Sequence, residues 1–219
     1  MLETIDIETA ATPNAAVIWL HGLGADAHDF ESVVPELVPR RERAWRFVFP
    51  NAPFRAVTLN GGMRMRAWYD IRELERTARE DLAGFNDSDR ELREIFAREA
   101  ARGIPAQRIV LGGFSQGGAL SLYTALRFPL PLAGVMALSC YLPAAARLPA
   151  ERAAGNDATP IFMAHGLEDN VLQLPLGQRS RDELRSLGYR VEWHEYPMGH
   201  AVCREEIAAI GEFLRRVLA

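Results

Sequence analysis

Short apolar runs alternate with longer amphipathic stretches along most of the chain. Runs rich in β-branched and aromatic residues predict buried strands. Strict alternation of apolar and polar residues predicts half-exposed strands at Thr4–Thr9 and Arg190–Tyr196. The predicted buried strands are Ala15–Leu20, Trp45–Phe49, Ile109–Leu111, Leu132–Cys140 and Pro160–Ala164.

Helical spacing of apolar residues fills most of the intervals between these runs. The predicted helices are Ala27–Val38, a segment from Asp87 or Ser88 to Arg102, a segment beginning at Gly117, Leu176–Leu187 and Ala201–Leu218. Strands that alternate with helices predict an α/β fold with a mostly parallel central sheet and helices on both faces. We expect a single domain spanning residues 1–219.

Two neighbouring stretches lack a clear period. Phe54–Asp70 is predicted to be a long connection that Asn60-Gly61-Gly62 interrupts, and such connections are often functional. Ile71–Asn86 is charged and poor in large apolar residues, which predicts an exposed helix or a mobile segment.

Composition excludes several classes of function. The chain has 48% hydrophobic and 25% charged residues, ordinary values for a globular protein, and its net charge of −4 disfavours nucleic-acid binding. All 25 basic residues are arginines. A lysine nucleophile, a Schiff-base lysine and a P-loop are therefore excluded.

Several absences predict a cytoplasmic protein without stable membrane insertion. Residues 1–8 contain neither a basic region nor an apolar core, so they do not resemble a signal peptide. No apolar run approaches the length of a transmembrane helix. Cys140 and Cys203 lie far apart and do not indicate a disulfide framework.

A candidate nucleophile lies between a predicted strand and a predicted helix. Gly113-Phe114-Ser115-Gln116-Gly117 matches G-x-S-x-G, in which a serine occupies a strained strand-to-helix turn. The alternative is a glycine-rich turn that only lets the helix pack closely on the strand. In the catalytic interpretation, the backbone N–H groups of Gln116 and of Leu23, in an early loop, stabilise an oxyanion.

The nucleophile needs a histidine base and an acid that orients this base. In α/β-hydrolases the serine comes first along the chain, the acid second and the histidine third. His200 is the candidate base because it lies in a glycine-flanked loop after a strand, whereas His194 lies within that strand. Asp169 is the candidate acid because it lies in a loop after a strand. The competing acids are Glu168, Asp157 and Asp182.

The segment from Gly61 to Asp70 is predicted to line or cover an apolar acyl site, with Met65 and Trp68 as candidate substrate contacts. Trp68 could instead be a core residue. No metal or cofactor is expected, because the five histidines form no H-x-x-x-H pair and no G-x-G-x-x-G fingerprint follows a strand.

Together these motifs resemble the carboxylesterase and acyl-protein thioesterase family of α/β-hydrolases over nearly the whole chain. The matching segments are His21–Asp26, Phe49–Pro53, Val57–Gly62, Ala67–Asp70, Gly113–Gly118, His165-Gly166 with Asp169, and Gly199-His200. The chain departs from the family at Val171-Leu172-Gln173, which follows the candidate acid. This change makes Leu172 a further candidate substrate contact.

The resemblance implies an α/β-hydrolase fold, with Ser115 as nucleophile, His200 as base and Asp169 as its orienting acid. Leu23 and Gln116 would supply the oxyanion N–H groups. The function predicted from it is a carboxylesterase that hydrolyses short- to medium-chain acyl esters through an acyl-enzyme. Acyl-protein thioesterase or lysophospholipase activity, transfer of the acyl group to an alcohol, and a non-catalytic binding module are the alternatives. The resemblance also allows a homodimer.

Overall fold

The computed structural model describes residues 2–38, 43–72 and 80–219. The strands are β1 (Thr4–Glu8), β2 (Ala15–Leu20), β3 (Trp45–Pro50), β4 (Phe54–Val57), β5 (Met63–Arg66), β6 (Ile109–Phe114), β7 (Gly134–Leu138), β8 (Ile161–Gly166) and β9 (Val191–Tyr196). Within the described residues, seven of them form one sheet in the order β1-β3-β2-β6-β7-β8-β9. Among the described strands of this sheet only β1 is antiparallel to its neighbour, so the predicted mostly parallel sheet is confirmed.

Helices cover both faces of this sheet. They are α1 (Val34–Leu37), α2 (Leu82–Ala101), α3 (Gln116–Arg127), α4 (Leu148–Glu151), α5 (Leu174–Ser186) and α6 (Arg204–Val217). Alternate residues of β2 enter two separate apolar clusters, because successive strand side chains point to opposite faces. Residues of α2, α3 and α5 join one cluster, and residues of α1 and α6 join the other.

The first predicted helix is shorter than expected. Instead of a helix over Ala27–Val38, a 3₁₀ turn at Glu31–Val33 leads into the single turn of α1. Pro35 lies in the first turn of α1, where its missing N–H costs nothing. A longer helix would place the proline ring in its interior, which proline geometry disfavours.

The second difference concerns Phe54–Asp70. This stretch contains the antiparallel hairpin β4–β5, which is separate from the main sheet. Gly61 and Gly62 both have positive φ, which glycine adopts without strain, and they turn the chain between the two strands.

The start of α2 also differs from the prediction. The helix begins at Leu82, and its N-cap is Asp81, whose carboxylate accepts a hydrogen bond from the N–H of Gly84. Ser88 is instead a buried residue inside the helix. The prediction for Ile71–Asn86 falls partly on residues 73–79, which lie outside the described residues. Among the helices that the structure describes, none has the length and apolar character needed to span a bilayer.

The carboxyl ends of the parallel strands place four segments of interest at one edge of the sheet. His21 follows β2, Ser115 follows β6, Asp169 follows β8 and His200 follows β9. In open α/β sheets this edge is where ligands bind.

The buried carboxyl group of Glu206 in α6 should make stability depend on pH. Burial raises its pKa to about 8, although the nearby backbone of Cys203 opposes this shift in part. A glutamate in an unfolded chain titrates near 4.3, so between these two values the folded protein binds more protons than the unfolded one. Stability should therefore fall as the pH rises through this range.

We expect Glu206→Gln to abolish much of this dependence, since glutamine stays neutral. The variant should unfold several degrees above the wild type at pH 8.5 and close to it at pH 5, because one pKa unit corresponds to about 1.4 kcal/mol. Thermal unfolding at the two pH values measures the difference. Glu205→Gln is the control, because Glu205 is exposed on the same helix turn. Equal pH slopes in the wild type and Glu206→Gln would contradict the assignment.

Candidate active site

Ser115 occupies a strained turn between β6 and α3. Its φ of 54° and ψ of −116° lie outside the regions that L-residues favour. The glycines on either side permit this turn. A Cβ at Gly113 would lie 2.4 Å from the carbonyl carbon of Gly117, and one at Gly117 would lie 2.4 Å from the carbonyl oxygen of Leu20. The G-x-S-x-G pattern thus has a steric basis in this fold.

His200 lies within hydrogen-bonding distance of the serine hydroxyl. Its Nε2 is 2.9 Å from Ser115 Oγ, and its ring packs against Phe114 with centroids 4.7 Å apart. The competing base, His194, lies within β9, where its Nε2 is 3.0 Å from Glu192 Oε1. The structure therefore brings His200, and not His194, to the candidate nucleophile.

Asp169 binds the other nitrogen of this imidazole. Its Oδ2 lies 2.7 Å from His200 Nδ1. Its Oδ1 accepts hydrogen bonds from the backbone N–H groups of Val171, at 2.9 Å, and Leu172, at 2.8 Å. The carboxylate is completely buried, whereas the neighbouring Glu168 is exposed. The remaining competitors, Asp157 and Asp182, are exposed as well.

The loops that carry Asp169 and His200 are joined directly. The N–H of Leu167 donates to the carbonyl of Tyr196 at 2.8 Å, and the N–H of Glu168 donates to that of Met198 at 3.0 Å. Gly166 allows this contact, because a Cβ there would lie 2.3 Å from the carbonyl oxygen of Gly199. These contacts fix the distance between the acid and the imidazole.

Two buried histidines brace the loops around the site. His165 Nε2 donates to the carbonyl of Leu172 at 2.6 Å and so supports the loop that carries Asp169. His21 Nδ1 donates to the carbonyl of Gly22 at 2.7 Å, while its Nε2 accepts from the N–H of Ala52 at 3.1 Å. Burial lowers the pKa of both imidazoles, so both are neutral supports near pH 7.

Leu23 and Gln116 line the same cavity as Ser115 and His200. Gln116 is the first residue of α3, so its N–H has no carbonyl partner inside the helix. Within the described residues, the N–H of Leu23 likewise lacks a hydrogen-bond acceptor. Both groups are therefore available to donate to an oxygen bound beside the serine.

The cavity beside Ser115 has a volume of about 380 Å³ and a largely apolar wall. Leu172, a predicted substrate contact, is among the lining residues. The other large apolar and aromatic side chains include Tyr69, Ile71, Phe85, Tyr141 and Leu176. Such a wall is suited to an aliphatic chain, which gains free energy by leaving water.

The structure places the other two predicted substrate contacts, Met65 and Trp68, outside the cavity wall. Trp68 is fully buried, and its indole N–H donates to the carbonyl of His21 at 2.9 Å. Met65 is half-buried, and its sulfur accepts a hydrogen bond from the side-chain amide of Asn60 at 3.3 Å. Neither side chain thus reaches the cavity in this structure: the loop of His21 covers Trp68, and Met65 lies beside Asn60.

Sequence reasoning singled out none of Tyr69, Phe85 and Tyr141, which line the cavity, although Tyr69 lies within the predicted lining segment Gly61–Asp70. Tyr141 lies just beyond the carboxyl end of β7, and that position was a usable signal. Its hydroxyl lies 3.3 Å from that of Tyr69, which stacks on Phe85 with centroids 3.9 Å apart. Burial raises the pKa of both phenols, so they are neutral.

Comparison with known proteins gives consistent matches. The model of the phospholipase/carboxylesterase family matches residues 3–218. An acyl-protein thioesterase 1 of Neurospora crassa is 42% identical over 95% of this chain and 89% of its own length. An acyl-protein thioesterase 1 homologue of Dictyostelium discoideum is 40% identical over 94% of this chain and 92% of its own. The crystal structure of Zea mays acyl-protein thioesterase 2 superposes with a TM-score of 0.89, at 29% identity and full coverage of both chains.

Proposed function

The chain belongs to the phospholipase/carboxylesterase family, and from that premise we propose that it hydrolyses the thioesters of acylated proteins. Its membership and its relatives support hydrolysis of esters or thioesters in general. The names of those relatives favour the thioesterase alternative over the predicted carboxylesterase for short- to medium-chain esters.

One observation carries the proposed chemistry: an unbroken chain of hydrogen bonds from Asp169 through His200 to Ser115, at 2.7 and 2.9 Å. A serine hydroxyl is a weak nucleophile until a base takes its proton. In the proposed first step, Ser115 Oγ attacks the acyl carbonyl as its proton passes to His200 Nε2. The carboxylate of Asp169 stabilises the imidazolium that forms.

The oxygen of the attacked carbonyl becomes an anion in the tetrahedral intermediate. We propose that the N–H groups of Leu23 and Gln116 bind this oxyanion. His200 then gives its proton to the departing thiolate sulfur, and the acyl group remains on Ser115 as an ester. Water repeats the sequence, with His200 as base, and releases the fatty acid and the free hydroxyl.

The apolar part of the cavity wall supports an uncharged aliphatic acyl chain as the group bound beside Ser115. Among the lining residues that the structure describes, Arg72 is the one arginine, while Asp29, Asp70, Glu80 and Asp81 contribute carboxyl groups, so this wall disfavours an acyl chain with an anionic far end. Arg72 lies 3.6 Å from the carboxylate of Asp70, which partly offsets its charge. Each methylene group buried in such a wall contributes about 0.8 kcal/mol.

The test compares one peptide with an S-palmitoyl-cysteine, an O-palmitoyl-serine or an S-hexanoyl-cysteine at the same position. We expect kcat/KM for the palmitoyl thioester to exceed that for the hexanoyl thioester by roughly tenfold or more, since the longer chain buries more methylene groups. It should also exceed that for the palmitoyl oxygen ester. If the wild type prefers the hexanoyl thioester or the palmitoyl oxygen ester, and Ser115→Ala loses this activity, the assignment returns to carboxylesterase.

A further inference from the structure

A short segment that follows the hairpin, Arg66–Tyr69, is bonded to both loops that carry the proposed oxyanion donors. On one side it contacts the loop of Leu23. The carbonyl of Arg66 accepts from the N–H of Gly24 at 2.9 Å, and the indole N–H of Trp68 donates to the carbonyl of His21 at 2.9 Å. The two bonds flank Leu23 along the chain.

On its other side the segment binds the side chain of Gln116. The amide oxygen of Gln116 accepts from the backbone N–H of Trp68 at 2.8 Å. The amide nitrogen donates to the carbonyl of Tyr69 at 2.7 Å. Gln116 and Trp68 are both buried, so water does not compete for these bonds. Gln116, whose backbone N–H is one of the proposed oxyanion donors, is thus held in place by the hydrogen bonds of its own side chain.

The segment itself is fixed to the rest of the fold. The N–H of Ala67 donates to the carbonyl of Pro53 at 3.1 Å, and the hydroxyl of Ser88 in α2 donates to the carbonyl of Trp68. It therefore acts as a rigid spacer between the loop after β2 and the start of α3. Oxyanion donors stabilise a transition state only when both lie at hydrogen-bonding distance from the developing charge.

We propose that Trp68 is a positioning residue that sets the distance between the N–H groups of Leu23 and Gln116. The proposal rests on the proposed acyl transfer at Ser115. It makes Trp68, which is not among the residues that line the cavity, responsible for the positions of the two oxyanion donors. Trp68 does so through its indole N–H, which holds His21, and through its backbone N–H, which holds the Gln116 amide.

Trp68→Phe removes the indole donor and keeps an aromatic ring in place. The carbonyl of His21 loses a buried partner, and Leu23, two residues later, is no longer held from that side. Removal of a whole oxyanion donor costs about 10²- to 10³-fold in kcat, so a displaced donor should cost roughly tenfold. KM should change little, because the oxyanion forms only in the transition state.

A matched control exists on the opposite face of the sheet. Trp19 is buried in the other apolar cluster, and its indole N–H has no hydrogen-bond partner within the described part of the chain. Trp19→Phe makes the same chemical change without removing a hydrogen bond. Gln116→Met is the second variant, because it removes both side-chain bonds to the segment and retains the backbone N–H.

The experiment measures kcat and KM with a p-nitrophenyl ester, together with inhibition by an alkylboronic acid, which forms a tetrahedral adduct with an active serine. We expect Trp68→Phe and Gln116→Met to lower kcat roughly tenfold and to weaken boronate inhibition by a similar factor. KM should stay within about twofold. Trp19→Phe should change neither kcat nor boronate affinity.

Three results would overturn the positioning role. The first is an unchanged kcat in either folded variant, the second is a fall in kcat without a loss of boronate affinity, and the third is an equal fall in Trp19→Phe. Thermal unfolding identifies a variant that fails to fold, in which case the remaining variant decides. Failure of the proposed acyl transfer at Ser115 looks different, because Ser115→Ala would then keep its activity.

Discussion

Replacing Ser115 with alanine should lower kcat by roughly 10⁴- to 10⁶-fold while the protein stays folded. The hydroxyl is the only group removed, and with it goes the nucleophile whose Oγ lies 2.9 Å from His200 Nε2. Alanine and serine both carry a Cβ, so the strain at φ 54° is the same in the variant and the wild type. The loss should therefore be chemical and not structural.

Ser139→Ala is a matched control for this change. Ser139 also has positive φ, at 44°, and it follows β7 at the same edge of the sheet. It is fully buried, and its hydroxyl has no hydrogen-bond partner among the residues that the structure describes. Ser139→Ala should keep the wild-type rate.

Single-turnover rates on the palmitoyl thioester peptide measure the effect, and a fluorophosphonate probe tests the nucleophile directly. The probe should add one mass increment to the wild type and to Ser139→Ala, and none to Ser115→Ala. More than about a hundredth of the wild-type rate in Ser115→Ala would exclude it as the nucleophile.

The inner strands of the sheet could be predicted from sequence because they are almost completely buried. Burial on both faces requires a continuous apolar run, and Ala15–Leu20 is such a run with no exposed residue. The hairpin β4–β5 escaped prediction because it is a separate two-stranded unit with mostly exposed or half-buried residues, so no face of it imposes a period of two. Asn60-Gly61-Gly62 was interpreted as an interruption, although it forms the turn of the hairpin.

The arrangement of Ser115, Asp169 and His200 was also accessible, because each follows a strand and parallel strands end at one edge. The bonds of Gln116 with Trp68 and Tyr69 were not accessible. They join segments that are far apart in the chain, and a side-chain amide that binds a distant backbone leaves no periodic trace. Trp68 was predicted to contact the substrate because its apolar ring alone does not show which loop will cover it.

Asp169→Asn should lower kcat by about 10⁴-fold, and the hydrogen bonds of the carboxylate explain why. Oδ1 accepts from the backbone N–H groups of Val171 and Leu172, so the amide oxygen of asparagine must occupy that position. The amide NH₂ group then occupies the position of Oδ2, which lies 2.7 Å from His200 Nδ1. A donor there requires Nδ1 to be an acceptor.

The proton of the neutral imidazole then moves to Nε2, where it points at Ser115 Oγ. An Nε2 that already carries a proton cannot take one from the hydroxyl, so the base is lost although its position is preserved.

Glu168→Gln is the matched control, because that side chain is exposed and only its backbone N–H contributes to the site. Steady-state kcat on the palmitoyl thioester should be normal in Glu168→Gln. The unfolding temperature of Asp169→Asn should be close to that of the wild type. If Glu168→Gln is the damaging change and Asp169→Asn is active, the acid is Glu168, and the buried carboxylate of Asp169 serves only to hold its loop.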